Sequence, residues 1–408
     1  MNLITKLKRP LLLLMLVISS FAFAKENNQY LLTEKTYKAL NSAQEMIAAD
    51  NYTKAESHLK TLLAKVKDKS YEMAVVQQTL GYLYSSQENY KQAAVFFQTA
   101  LDLGALPDKV SHNLRYNLAQ LLLADEQYKK GIAMLETWLT ADASPPNSIY
   151  VLLASAHYRL KEFKQVIKYI SIAIKNDVTA TESWYQLLLS AHLELKQYKS
   201  AITVLETLIT LYPYQKNYWD QLTALYLQQN KEFTAVAVRM LSQRLELGNG
   251  KTLISLADMY RYLHIPYKAA HLLNKALEKG IIPADFDNLT RLADSWLAAR
   301  ETEKAVMVLQ QAAKLDDSGE SDFKQGRVLI GLEQWKQAVQ PLTRGLQKLA
   351  GDKKGTASLL LGMAYFYLDD LVTAKTMFTQ AVNYENERNQ AGQWLRHINK
   401  QMEQADAA

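Results

Sequence analysis

A small residue returns along this chain in a fixed setting, three positions after a bulky apolar residue and seven and eight before an apolar pair. Tyr90, Ala93, Phe97, Ala100 and Leu101 show the setting, as do Tyr198, Ala201, Leu205, Leu208 and Ile209. Trp335, Ala338, Leu342, Gly345 and Leu346 repeat it, and so do Leu371, Ala374, Phe378, Ala381 and Val382. The small anchor falls at Ala55, Ala93, Gly131, Val166, Ala201, Ala269, Ala305, Ala338 and Ala374, at intervals of 38, 38, 35, 35, 68, 36, 33 and 36 residues. The long interval is two periods with a blurred repeat near Val236 between them. A period near 34 built from two helices describes a stack of helix hairpins, each packed on its neighbours. Such a stack offers extended surface before it offers a deep pocket, so binding is expected ahead of chemistry.

Position 8 of each repeat, in the first helix (A), also stays small: Ala43, Gly81, Ala119, Ala154, Ala257, Ala293, Gly326 and Gly362. The anchor series is position 20, in the second helix (B). Small residues at both places let the two backbones approach, and position 8 is expected to face position 20. Position 11 is bulky at Tyr84, Leu122, Tyr260, Trp296 and Tyr365. Pro107, Pro145, Pro213 and Pro283 fall just past B helices, where a proline costs no helical hydrogen bond. Ten repeats fit between about Thr33 and Asn386, with the register of the sixth open by one residue. The links from Thr140 to Ser148 and from Leu211 to Tyr218 read as longer than the rest. From Asn389 to Glu403, Trp394, Leu395, Ile398 and Met402 share one helical face, as an end cap requires, and Gln404 to Ala408 reads as frayed.

These repeats resemble the tetratricopeptide (TPR) family over nearly all of residues 25–386. The resemblance implies an all-α solenoid, a right-handed superhelix of about ten helix-turn-helix repeats, with a C-terminal capping helix in 387–408. A narrower resemblance is carried by the stretches Leu256 to Ala270, Asn117 to Ile132 and Tyr212 to Leu222. They are similar to secreted gamma-proteobacterial TPR proteins encoded beside TonB systems, which drive iron-siderophore uptake. That resemblance implies protein partners of the TonB, ExbB or ExbD type and assigns no residue a role.

The first 24 residues read as an export signal. Lys6, Lys8 and Arg9 precede an apolar run from Leu11 to Phe21, and Ala22-Phe23-Ala24 offers a cleavage site after Ala24. The apolar run is short for a membrane span, so the mature chain is expected in the periplasm without one. Three of the +6 formal charges lie in that leader, leaving +3 on the rest, which argues against nucleic acid. The absence of cysteine excludes disulfides and thiolate metal sites.

Register directs part of the A-helix surface into the concave side of a TPR stack. The residues so placed are Tyr82, Asn113, Tyr116, Asn117, Gln120, Tyr158, Arg159, Asp258, Arg261, Tyr262, Arg291 and Asp294. Tyrosine and arginine give large contact area with few rotors, which suits a peptide or a partner helix. The carboxylate clamp of chaperone-binding TPR domains is not matched, because positions 5 and 9 of its repeat hold Tyr116 and Gln120.

Chemistry finds less support. Gly248-Asn-Gly-Lys-Thr252 lacks the first glycine of a phosphate loop, since Leu245 stands there, and no strand precedes it. It reads as a turn with Gly248 stopping one helix and Lys251 in the first turn of the next. His157 and His192 occupy position 11 in consecutive repeats and read as groove fillers in place of tyrosine. Asp316, Asp317 and Glu320 read as a solvated loop. No catalytic residue, metal site or cofactor is expected. The function expected is a non-enzymatic scaffold, either in a TonB system or in envelope assembly (peptidoglycan, secretion or outer-membrane biogenesis).

Overall fold

The computed structural model describes residues 30–142 and 144–406. The expected leader and its cleavage point, and the last two residues of the tail, lie outside the described residues. Ten turns repeat one geometry. Asp50, Glu88, Glu126, Lys161, Lys196, Asn230, His264, Arg300, Glu333 and Asp369 each hold a left-handed φ of 53° to 61°. Each sits at position 15. The N–H of the next residue donates to the carbonyl five residues back at 2.8 to 3.0 Å, as in Asn89 to Tyr84 and Lys231 to Tyr226. This Schellman closure satisfies the last carbonyls of helix A, and it holds non-glycine residues in a conformation they otherwise avoid.

The turns number the repeats without ambiguity. Five residues after each lies the small anchor, and in the sixth repeat that is Ala235, fully buried. The blurred anchor is therefore Ala235 rather than its neighbour Val236. Position 8 of the fifth and sixth repeats is Leu189 and Thr223, both buried.

Among the described residues there are 21 α-helices and no strand. The chain divides into two units, one ending at Gln197 and the other beginning at Tyr198. The first holds α1 (Glu34–Ala48), α2 (Tyr52–Lys65), α3 (Ser70–Ser86), α4 (Tyr90–Asp102), α5 (Asp108–Ala124), α6 (Tyr128–Ala141), α7 (Asn147–Arg159), α8 (Phe163–Asn176) and α9 (Glu182–Glu194). The second holds α10 (Tyr198–Leu211), α11 (Lys216–Gln228), α12 (Glu232–Arg244), α13 (Gly250–Tyr262), α14 (Pro266–Glu278), α15 (Phe286–Ala298), α16 (Thr302–Ala312), α17 (Glu320–Gly331), α18 (Trp335–Lys348), α19 (Gly351–Tyr367), α20 (Leu371–Ala381) and α21 (Arg388–Asp406). Within each unit helices pack mainly on the one before and the one after, with A helices also touching at α1–α3, α7–α9 and α17–α19. That pattern of neighbour-only contact is solenoid packing.

In the hairpins whose position 8 is glycine, that position packs on position 24. A Cβ built on Gly81 would lie 2.2 Å from the Phe97 ring, and one on Gly326 would lie 2.4 Å from Leu342. In these repeats the small residue at position 8 makes room for the large one at position 24. The expected facing of positions 8 and 20 is present too: a Cβ on Gly131 would lie 2.6 Å from the Leu123 side chain and 3.1 Å from the Ala119 carbonyl. Position 24 is fully or almost fully buried at Leu59, Phe97, Leu135, Ile170, Leu205, Leu273, Leu309, Leu342 and Phe378. Burying each such side chain contributes about 1.5–3 kcal/mol.

The link lengths differ from expectation. The two longest lie at 279–285 and 313–319, the second opening with a 3-10 turn at Ala313–Leu315, whereas α10 and α11 are joined by four residues. The end cap behaves as its sequence implies. Ala391 and Ile398 of α21 are fully buried, and Trp394 stacks on Phe378 at 5.5 Å. The helix runs to Asp406, past the point read as frayed.

Candidate binding surface

In the first unit the expected surface residues come from α3, α5 and α7. Tyr82 packs edge-on to Phe97 at 4.9 Å, and its hydroxyl accepts a hydrogen bond from Asn117 Nδ2 at 3.3 Å. Tyr116 leans instead on Trp138 at 5.5 Å, and the indole donates to the His112 carbonyl at 3.0 Å. The Tyr158 hydroxyl pairs with Ser190 Oγ at 2.9 Å. Asn113 and Arg159 are exposed, and Gln120 is half-buried.

In the second unit the expected residues on α13 and α15 meet one another. Arg291 Nη1 donates to both carboxylate oxygens of Asp258, at 2.8 and 2.7 Å, while Arg261 stands 3.8 Å from the same carboxylate. Asp294 receives Lys324 of α17 at 2.7 Å. One rule covers the Asp258–Arg291 and Asp294–Lys324 pairs and the Tyr82–Asn117 bond: position 9 of one repeat bonds position 6 of the next. The surface is therefore braced along the stack, and much of its charge is internally neutralised. Tyr262, 72% exposed, stands clear of that bracing.

Beside Tyr262 lies a cavity of about 460 Å³ between α12 and α13, also reached by the end of α11. Leu227, Val236, Ile254, Met259 and Leu263 make it apolar; Glu232, Lys251, Ser255, Asp258 and Tyr262 rim it. Two residues of the expected surface, Asp258 and Tyr262, thus border a concavity that sequence reasoning did not locate. A glycine-rich link joins α12 to α13. Glu246, not Gly248, adopts the left-handed turn there (φ 58°). Asn249 and Thr252 close a capping box on α13, with Lys251 in its first turn as expected.

Several tyrosines are tied to carboxylates. Tyr84 donates to Glu56 at 2.7 Å, and Tyr226 donates to Glu206 at 2.5 Å. Burial, then the Glu206 carboxylate, pushes the Tyr226 phenol up to about 12. The two histidines at position 11 cap their own turns: His157 Nδ1 lies 2.6 Å from Glu162 and His192 Nδ1 lies 2.8 Å from Gln197. Asp316 corrects the reading of a solvated loop. It is buried, and it accepts the N–H groups of Ser318 at 2.8 Å and Ser321 at 2.7 Å. Burial alone would raise its pKa; the hydrogen bonds from Ser318 and Ser321 outweigh that and hold it below the ordinary aspartate value.

Among the described residues no helix is long and apolar enough to cross a membrane. Residues 74–103 match the family described as tetratricopeptide repeat, and residues 134–208 match the one described as anaphase-promoting complex, cyclosome, subunit 3. No curated protein matches the chain. Solved structures similar to it include YrrB, described as a TPR protein with an unusual peptide-binding site. That likeness has 16% identity and a TM-score of 0.37, over 47% of this chain and 97% of YrrB. The C-terminal part of a TPR repeat-containing protein from Cytophaga hutchinsonii is similar at 14% identity and TM-score 0.32, over 68% and 97%. The APC/C hetero-tetramer Cut9-Hcn1 is similar at 13% identity and TM-score 0.29, over 90% of each chain. The tetratricopeptide-repeat match is to residues 74–103, and ten turns of one geometry recur among the described residues.

Proposed function

We propose that this protein is a non-enzymatic scaffold whose A-helix surfaces hold a protein or peptide partner, and that it works in the periplasm as an accessory of a TonB energy-transduction system. The observation that carries the scaffold reading is the concavity between α12 and α13, apolar within and rimmed by exposed Tyr262. An apolar hollow with a few polar groups at its edge suits an anchoring side chain from a partner. The ion pairs along α13, α15 and α17 hold that surface in shape before a partner arrives, which lowers the ordering cost of binding. The exported character of residues 1–24 and the resemblance of three stretches to TonB-associated TPR proteins support the pathway. The chain would bring partners together and do no bond chemistry.

Pull-down of the mature chain from periplasm tests the pathway. Recovery of a TonB-system protein, with impaired growth on siderophore iron in a deletion strain, is the expected result. Recovery of peptidoglycan, secretion or outer-membrane assembly proteins, with normal siderophore growth, would move the scaffold to envelope assembly.

A further inference from the structure

A buried ring nitrogen in the first unit faces a carboxylate it does not bond. His157, at position 11 of the fourth repeat, is 5% exposed. Its Nδ1 lies 2.6 Å from Glu162, so in the neutral ring the proton sits on Nδ1 and is donated there. Nε2 then keeps a lone pair, buried and without a hydrogen-bond partner. Glu136 Oε1 on α6 stands 4.0 Å from it. Neither atom has a proton to share, so no hydrogen bond closes the gap. A buried polar atom left in this way asks for a reason.

The matching junction in the second unit is closed. Tyr226, position 11 of the sixth repeat, donates to Glu206, position 25 of the repeat before it, at 2.5 Å. His157 and Glu136 hold those two positions in the fourth and third repeats. A tyrosine carries its proton throughout the neutral range, whereas a histidine gains its second proton only in mild acid. The surroundings of the His157 ring suit that charge. Glu136 on α6 stands at Nε2, and Glu162, in the turn before α8, stands at Nδ1. Tyr169 of α8 stacks on the ring at 5.4 Å, and its hydroxyl donates to Glu136 at 2.7 Å, which holds that carboxylate in place. Burial, then the Glu136 carboxylate, pushes the Tyr169 phenol up, so it keeps its proton; Tyr150 of α7 adds a smaller push the same way. Lys168 lies over the Tyr169 ring at 4.7 Å and works against a second cation here. Two carboxylates, one at each ring nitrogen, outweigh it.

We propose that His157 is a proton-operated latch between the third and fourth repeats. A proton taken from solvent binds Nε2, and the new N–H donates to Glu136. The imidazolium then ties α6 to the turn before α8 through Glu136 and Glu162. Closure needs Nε2 and Glu136 to approach by about 1 Å, to ordinary hydrogen-bond length. The closed junction holds one proton more than the open one, so acidification closes it and rising pH opens it. The latch works in the histidine range, above the range in which carboxylates take up protons. Tyr158, the next residue of α7, belongs to the candidate surface, so the latch sets how firmly that part of the surface is held. It stands on this geometry whatever the surface binds.

Amide hydrogen exchange of α6 and α7 in the whole protein tests the latch, read about one pH unit either side of the ordinary histidine value and corrected for the intrinsic effect of pH. Exchange should be about two- to five-fold slower on the acid side, the effect of one half-exposed ion pair. His157→Leu installs the residue type that Leu122 supplies at position 11 of the third repeat, and it should abolish the slowing. Glu136→Gln keeps an acceptor for the Tyr169 hydroxyl but removes the charge at Nε2, and it should lose most of the slowing. Exchange in the parent that does not slow in acid overturns the latch. So does slowing that survives His157→Leu, or slowing that Glu136→Gln leaves intact.

Discussion

Arg291 of α15 grips both carboxylate oxygens of Asp258 on α13, one repeat earlier, at 2.8 and 2.7 Å. The pair joins two helices that sequence places 33 residues apart and turns two candidate contact residues into a brace. Both partners keep substantial exposure, 31% and 43%, so solvent screens the attraction. Arg291→Ala should cost less than about 1 kcal/mol. A double-mutant cycle with Asp258→Ala, read by urea melts, should show coupling of about 0.2–1 kcal/mol; zero coupling would mean that the brace does not act in solution.

Helix A and helix B approach closely at the anchor. Ala201 is fully buried, and Ala201→Trp should destabilise its unit by about 1–3 kcal/mol or more through overpacking. Ser86, at the exposed end of α3, offers a control, and Ser86→Trp should cost little. Thermal melts of the two variants test the repeat register; equal shifts would contradict it.

Glycine plays opposite parts in two helices. A Cβ on Gly81 would stand 2.2 Å from the Phe97 ring, while one on Gly331, the last residue of α17, meets nothing within 4 Å. Gly81→Ala should destabilise by about 1–3 kcal/mol despite better helix propensity. Gly331→Ala should be neutral or gain up to about 1 kcal/mol. Urea midpoints of both variants separate packing from propensity.

Three carboxylates, Glu72 and Asp316 buried and Asp220 half-buried, predict the acid limb of stability. Burial raises Glu72, Asp220 and Asp316, but hydrogen bonds win in each case: from Thr36 and Thr33 to Glu72, from Lys216 and Arg239 to Asp220, and from Ser318 and Ser321 to Asp316. All three end below their ordinary values. A carboxylate whose folded pKa is depressed stabilises above its unfolded pKa and loses that contribution as pH falls through the folded value. Stability should therefore drop on acidification below the ordinary carboxylate range. Asp316→Asn should be less stable at pH 7 and lose less on acidification; parallel pH–melting curves for variant and parent would contradict the assignment.

The repeat, its ten turns and the end cap were legible because hairpin packing leaves small and large residues at fixed spacing. The sixth anchor was blurred for a physical reason. Ala235 is followed by Val236, and the apolar residue that should confirm it at position 24 is Arg239. Gly248 misled as a helix stop because Glu246, closed by the Schellman bonds of α12, takes the left-handed turn before it. Asp316 is acidic in sequence yet buried, since the N–H groups it caps are supplied by the loop's own fold. The bracing of the surface did leave a trace. Asp258 with Arg291, Asp294 with Lys324 and Tyr82 with Asn117 lie 33, 30 and 35 residues apart, close to one repeat. The hollow beside Tyr262 left none, because its lining is drawn from three helices, α11, α12 and α13.

Photo-crosslinking in cells from position 262, with Val178 as a fully exposed control outside the A helices, tests the central claim most directly. The account predicts a discrete adduct from position 262 that contains a TonB-system protein, absent from position 178 and lost when Ser255→Trp fills the hollow. Adducts of equal pattern from both positions, or none from 262, would contradict a partner held on this surface.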